Sequence, residues 1–238
     1  MKVSIGIGGA ASGRKRDFDE QVDYVVEAEK LGVDAVWSAE AWGQDAISPL
    51  AYLAARTSRI RLGTGIMQIS ARVPAMIAMT ALTMASISND RFILGLGASG
   101  PQVVEGLQGR PFKAPLTRMK ETVEIIKLAF AGEKIEYHGR YHELPLPGGQ
   151  GKALRLSQPG NANIPIYLAT LGPHALEYTG AARPMVGSAR RLRRSMPVRT
   201  STICVGAQKG PVAAWPTSTY RSAEQLRSAT ISMRSWSL

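Results

Sequence analysis

The segment Arg91 to Gly109 reads Arg-Phe-Ile-Leu-Gly-Leu-Gly-Ala-Ser-Gly-Pro-Gln-Val-Val-Glu-Gly-Leu-Gln-Gly, an apolar run that breaks into glycines, a serine and a proline. A buried strand over Phe92 to Leu96 that ends in such a turn leaves backbone N–H groups free at the mouth of a sheet, and free N–H groups hold anions. Gly95, Gly97 and Gly100 also satisfy G-x-G-x-x-G, as do Gly6, Gly8 and Ala11 when alanine is allowed at the last place. A dinucleotide site of that kind needs its helix to start inside the motif, where the pyrophosphate meets the helix N-terminus, and an acidic residue ~20 residues further on. The first copy runs into Arg14-Lys15-Arg16 and the second into Pro101, while Glu40 lies 34 residues after Gly6. The nicotinamide reading is therefore set aside.

Two other chemistries find little support. Glu136, His138, His142 and Glu143 lie close together in the sequence, but His-x-x-x-His needs a helix to bring both rings to one face. Gly139, Pro145 and Pro147 argue instead for a solvent-facing loop or hairpin. There is no G-x-S-x-G nucleophile turn, and Cys204 is the single cysteine, which excludes an intramolecular disulfide.

The glycine turn needs elements to position it, and the pattern supplies parallel βα units. Apolar strands are expected at Lys2 to Gly8, Ala35 to Ala39, Ile60 to Ile69, Phe92 to Leu96 and Ile164 to Thr170. Between them, Phe18, Val22, Val25, Val26, Ala28 and Leu31 form one helical stripe closed by Gly32. Pro49 and Pro74 open two further helices. Met119, Val123, Ile126, Leu128 and Phe130 lie on a fourth, over about 116–131, and Pro173 opens a fifth. A polar, Pro- and Gly-rich excursion from Glu133 to Asn163 is too long for an ordinary connection. The expected fold class is thus α/β, either a doubly wound sheet or a (β/α)8 barrel cut short after about strand five. Both put the chemistry at the C-terminal strand ends. There the chain collects Glu40, Trp42 and Asp45, Gly65 to Ser70, Ala98 to Gln102, and Ala169 to Pro173.

Composition bounds the rest. An apolar content of 45% over 238 residues is ample for a core. No apolar run is long enough to span a bilayer, and Met1-Lys2 leads straight into a strand-like segment, so a cytoplasmic location is expected. The net charge of +11 is uneven: residues 1–182 carry 19 basic and 17 acidic side chains (+2), and residues 183–238 carry 10 and 1 (+9). Arg190, Arg191, Arg193 and Arg194 form the one dense cluster, without interleaved aromatics, so no specific nucleic-acid binding is expected. The domain division is placed at 182, with 183–238 a basic tail of low order. That tail reads either as an interaction arm or as a chance sequence from a shifted reading frame. The latter is favoured, because GC-rich codons for 182–195 moved by one base yield Ala-Asp-Gly-Trp-Leu-Gly.

Gly63-Thr64-Gly65-Ile66-Met67-Gln68, Arg72-Val73-Pro74-Ala75-Met76, the Arg91 to Gly109 block, and Ile164-Pro165-Ile166-Tyr167-Leu168-Ala169 with Gly172-Pro173 together resemble the luciferase-like flavin enzymes, most closely their coenzyme F420-dependent branch. The resemblance covers about residues 1–182. It implies a (β/α)8 barrel with the deazaflavin across the C-terminal strand ends, and a non-proline cis peptide in the third strand at Gly65–Ile66, against which the ring packs. It places Glu40 near the ring edge. It assigns the turn containing Gly97, Ala98, Ser99, Gly100, Gln102 and Val103, and the turn containing Thr170 and Gly172, to the cofactor's phosphate side chain. The implied activity is hydride transfer between reduced F420 and an unknown organic substrate. An FMN-dependent monooxygenase and an inactive truncated remnant are the alternatives. The expected partner is a small molecule, with no membrane and with homodimerisation left open.

Overall fold

In a computed structural model of the chain, the described residues are 3–8, 15–40, 42–170, 173–181, 186–189 and 204–205. They begin with β1 (Ser4–Ile7), α1 (Lys15–Lys30), β2 (Ala35–Ser38), α2 (Ile47–Ala54), β3 (Arg61–Thr64), β4 (Met67–Gln68) and α3 (Pro74–Ile87). Next come β5 (Phe92–Gly97), α4 (Pro101–Val104), α5 (Pro115–Phe130), β6 (Tyr137–His138) and β7 (Glu143–Leu144). The series ends with β8 (Ile166–Ala169), α6 (Pro173–Ala181), β9 (Val186–Ala189) and β10 (Cys204–Val205). One sheet runs in the order β1-β2-β3-β5-β8-β9-β10, with β4 also on β5. Its pairings are parallel except that of β10 with β9.

Alternation along the strands sorts the side chains into two cores. Val36, Leu62, Leu94, Leu96, Ile166 and Leu168 face the helices, where they meet Val25, Leu50, Ile77, Val123 and Ile126. Ala35, Trp37, Ile93 and Tyr167 face the other way and form a smaller cluster with Ile66 and Ala169. The Trp37 and Tyr167 rings lie 5.7 Å apart there. Gly63 is the complement of Trp37, since a Cβ on it would come within 2.4 Å of the indole.

Three features depart from the sequence reading. The single strand expected over Ile60 to Ile69 is two, because the pairing offset changes along it. Leu62 faces Phe92 and Met67 faces Leu96, so five steps on one strand match four on the other, which is a bulge. A one-turn helix, α4, starts at Pro101 directly after the glycine turn. Proline is pre-set for that position, and the motif pattern alone gave no stripe to reveal so short a helix. Finally, the sheet continues past residue 182 in β9, a Val-Gly-Ser-Ala stretch with almost no apolar signal that is held by parallel pairing to β8. The rest of the basic tail, apart from β10, lies outside the described residues. The long excursion contains the β6–β7 hairpin, which settles Glu136, His138, His142 and Glu143 on a turn structure. Among the described residues no three His, Cys, Asp or Glu side chains are placed to hold one metal ion together; His138 instead pairs with Glu143 at 2.5 Å.

Candidate functional site

The site grows from the bulge. Thr64 pins β3 to β5, its Oγ1 donating to the Gly95 carbonyl and accepting from the Gly95 N–H, each at 2.8 Å. The strands approach so closely that a Cβ on Gly95 would stand 1.9 Å from the Thr64 carbonyl oxygen. Beyond Thr64 the Gly65–Ile66 peptide is cis. The Ile66 side chain lies over Gly97, where a Cβ would meet its Cγ1 at 2.7 Å. Gly65, Ile66 and Gly97 thus give a closely packed, apolar surface at the strand ends.

A cleft of about 560 Å³ opens on that surface. Gly65, Ile66, Gly97, Ala98 and Ser99 come from the ends of β3 and β5, and Ala169 and Thr170 from the end of β8. Phe112, Pro115, Leu116 and Met119 come from the approach and first turns of α5, and His174 and Ala175 from the start of α6. Ser99 holds a left-handed backbone at φ 58, an uncommon conformation for serine. The following turn is closed by the Val103 and Val104 N–H groups, which donate to the Gly100 carbonyl at 3.1 and 2.9 Å. Thr170 is buried, and its Oγ1 has no hydrogen-bond partner among the described residues; the same holds for Trp37 Nε1 in the inner cluster. Buried polar atoms are normally satisfied, so an orphan hydroxyl in a cleft marks a place for a ligand's polar atom.

Glu40 belongs to a network beside the cleft. Both its carboxylate oxygens lie close to Arg72 Nη1, at 2.5 and 2.8 Å, and Oε2 accepts from the Gln68 N–H at 3.1 Å. The Gln68 side chain donates to the Glu40 carbonyl at 2.9 Å and accepts from Gln108 Nε2 at 2.5 Å. The pair is largely sheltered, with Glu40 and Arg72 side chains 11% and 20% exposed. Gln68 therefore ties the end of β2 to β4, the Arg72–Glu40 pair ties it to the segment before α3, and Gln108 ties the segment after α4 to the same point.

Of the residues singled out in the sequence, Gly65, Ile66, Gly97, Ala98, Ser99 and Thr170 come together around the cleft. Gly100, Gln102 and Val103 occupy the adjoining turn and α4 without lining it, and Val103 is buried. Glu40 reaches Arg72 and Gln68 and does not line the cleft. Gly172 lies outside the described residues. The sequence reading missed Phe112, Leu116 and His174; Met119, a core position as expected, lines the cleft as well. Helical periodicity gives no signal to separate a core stripe from a cleft wall, because both want the same apolar side chains.

Parallel βα units with the cleft at their C-terminal strand ends define a protein of (β/α)8 barrel type. The chain belongs to the luciferase-like monooxygenase family, which it matches over residues 2–186. It is 47% identical over 157 residues to Rv3520c of Mycobacterium tuberculosis, named as a coenzyme F420-dependent oxidoreductase, covering 63% of this chain and 45% of that protein. It is 30% identical over 190 residues to an F420-dependent glucose-6-phosphate dehydrogenase of Amycolatopsis mediterranei, covering 74% and 55%. The chain spans about half the length of these curated relatives. Among solved structures, the coenzyme F420-dependent tetrahydromethanopterin reductase from Methanopyrus kandleri has the same fold, with a TM-score of 0.63 at 24% identity, over 76% of this chain and 54% of that one.

Proposed function

We propose that this chain binds coenzyme F420 in the cleft beside Gly65, Ile66 and Gly97 and serves hydride transfer to or from a small organic molecule. The observation that carries the reading is the surface itself: two glycines and a flanking isoleucine at a bulge, next to the orphan hydroxyl of Thr170. A planar apolar ring needs a flat apolar face, and its polar edge needs a donor that is not already spent. The F420-dependent relatives support the same choice. When bound, a deazaflavin takes or gives a hydride at C5 of its ring.

The chain's own residues do the rest. Gly97 lets the Ile66 side chain settle over its strand, Gly65 does the same for Trp37, and Ile66 packs against the ring. Thr170 Oγ1 donates to a polar atom of the cofactor. Ser99, held left-handed, turns the backbone so that the N–H groups of Ser99, Gly100 and Gln102 serve the phosphate side chain, and Thr170, with Gly172 after it in the sequence, is assigned to the same group. Val103 gives its N–H to Gly100 and so acts by shaping that turn. Glu40 acts at one remove, by fixing Arg72 and Gln68. Phe112 and Leu116 exclude water from the reacting carbon. In the oxidative direction a substrate C–H gives up its hydrogen and electron pair to the cofactor, and the attached hydroxyl releases its proton to water; the reductive direction reverses both. Self-association as a homodimer belongs to the same proposal, with the exposed Val73, Met76 and Ile87 along α3 as its apolar face.

Titration of the protein with F420 and, separately, with FMN tests the reading. Tighter binding of F420 supports it. FMN retention with oxygen consumption on turnover would instead select the monooxygenase chemistry.

A further inference from the structure

Resting on the F420 reading, we infer that the co-substrate is an uncharged molecule with an apolar body, selected by the wall that the start of α5 builds across the cleft. Phe112, Leu116 and Met119 line the cleft from the approach and first turns of α5, with Ile66 and Ala169 completing an aliphatic and aromatic lining. This wall is held in place by its own chemistry. The Phe112 N–H donates to Glu105 Oε1 at 3.0 Å, which folds the segment after α4 back on itself. Ala114 takes a left-handed backbone at φ 43, and Pro115 then starts the helix, so the turn delivers Leu116 and Met119 to the cleft in fixed positions. Met119 is 3% exposed and anchors the wall in the main core.

The polar side chains of the cleft lie elsewhere: Ser99 at the end of β5 and Thr170 at the end of β8, where the proposed function places the cofactor, and His174 at the start of α6. The α5 side offers a ligand no charge and no hydrogen bond from the lining side chains Phe112, Pro115, Leu116 and Met119. A phosphorylated sugar brought against it would lose its hydration without replacement, whereas an apolar ring or chain would shed water favourably. The wall therefore discriminates by desolvation. The phosphosugar that gives the Amycolatopsis relative its name belongs to the class this chain should reject.

Ligand-observed NMR on F420-saturated protein, with cyclohexanone and glucose 6-phosphate as probes, decides the matter. Cyclohexanone is expected to bind at least about tenfold more tightly than glucose 6-phosphate. Leu116→Gln should weaken cyclohexanone binding by about tenfold without a matching loss of glucose 6-phosphate binding, its fold checked by circular dichroism. Phe112→Asn should do the same and stands in if Leu116→Gln misfolds. Glucose 6-phosphate binding as tightly as cyclohexanone, or folded variants that bind both probes as the parent does, would overturn the inference. Failure of the parent protein to bind F420 would count against the proposed function, not against this wall.

Discussion

Gly95 and Gly97 are two positions apart on one strand and yet tolerate change very differently. A methyl group on Gly95 meets a carbonyl oxygen of the neighbouring strand at 1.9 Å, and backbone cannot step aside. Gly95→Ala is expected to cost about 3 kcal/mol or more, read by urea denaturation. At Gly97 the obstacle is the Ile66 side chain, which can rotate away from its place over the glycine. Gly97→Ala should cost only about 1 kcal/mol of stability, while F420 affinity falls about tenfold. A variant that loses stability but keeps full affinity would show that the glycine serves the fold alone. Glu40 makes a third case. Its carboxylate is sheltered and committed to Arg72, so removing one partner strands the other. Glu40→Gln should cost about 2 kcal/mol, and the cycle with Arg72→Met should return a coupling of about 1 kcal/mol or more. Additivity in that cycle would contradict the pairing.

Among the elements, α5 serves two masters. Its first turns form the cleft wall, and its buried Glu121 holds the β6–β7 hairpin by accepting the N–H groups of Arg140, Tyr141 and His142, each at 2.9 Å. Glu121→Gln puts an amide donor where three donors converge, and about 2 kcal/mol should be lost, with faster hydrogen exchange at Arg140 to His142. The half-buried His142 beside it gives the hairpin a pH dependence. Burial pushes its imidazole below the ordinary value of 6.5, the Glu121 carboxylate opposes this, and Arg118 adds to the lowering. The unfolded chain then takes up a proton at higher pH than the folded one. Stability contributed by neutral His142 is complete above 6.5 and is lost as pH falls towards the lowered value. The drop in urea midpoint between about pH 7.5 and about pH 5.5 should be smaller in His142→Gln than in the parent. An equal drop would remove His142 from the account. Much of this level was legible in the sequence: Gly32, Pro74 and Gly132 mark helix ends, and Phe92 to Leu96 announces its strand, whereas the helix expected to open at Pro49 starts at Ile47, where Asp45 accepts from the Ile47 and Ser48 N–H groups. Pairing geometry was not, because a one-residue bulge changes register without changing composition, and α4 is shorter than one period of any pattern. The hydrogen-bonded commitment of Glu40 was equally hidden, since it depends on Arg72, which is 32 positions away.

Across the whole molecule, charge and fold divide at different places. The charge changes character at residue 183, whereas the parallel sheet runs on to Ala189 through the pairing of β9 with β8. We propose that the cofactor-binding unit extends through β9 and does not draw on the basic residues beyond Ala189. A chain ending after Ala189 should bind F420 within about twofold of the full chain, and a loss of more than about tenfold would place part of the site in the tail. The central claim is that the apolar surface at Gly65, Ile66 and Gly97 is a deazaflavin site. Fluorescence titration of the purified 238-residue chain with F420, with FMN as comparator, tests it most directly. The account predicts saturable F420 binding in the micromolar range, at least about tenfold tighter than FMN and weakened by Gly97→Ala. Absence of F420 binding by folded protein, or tighter binding of FMN, would contradict it.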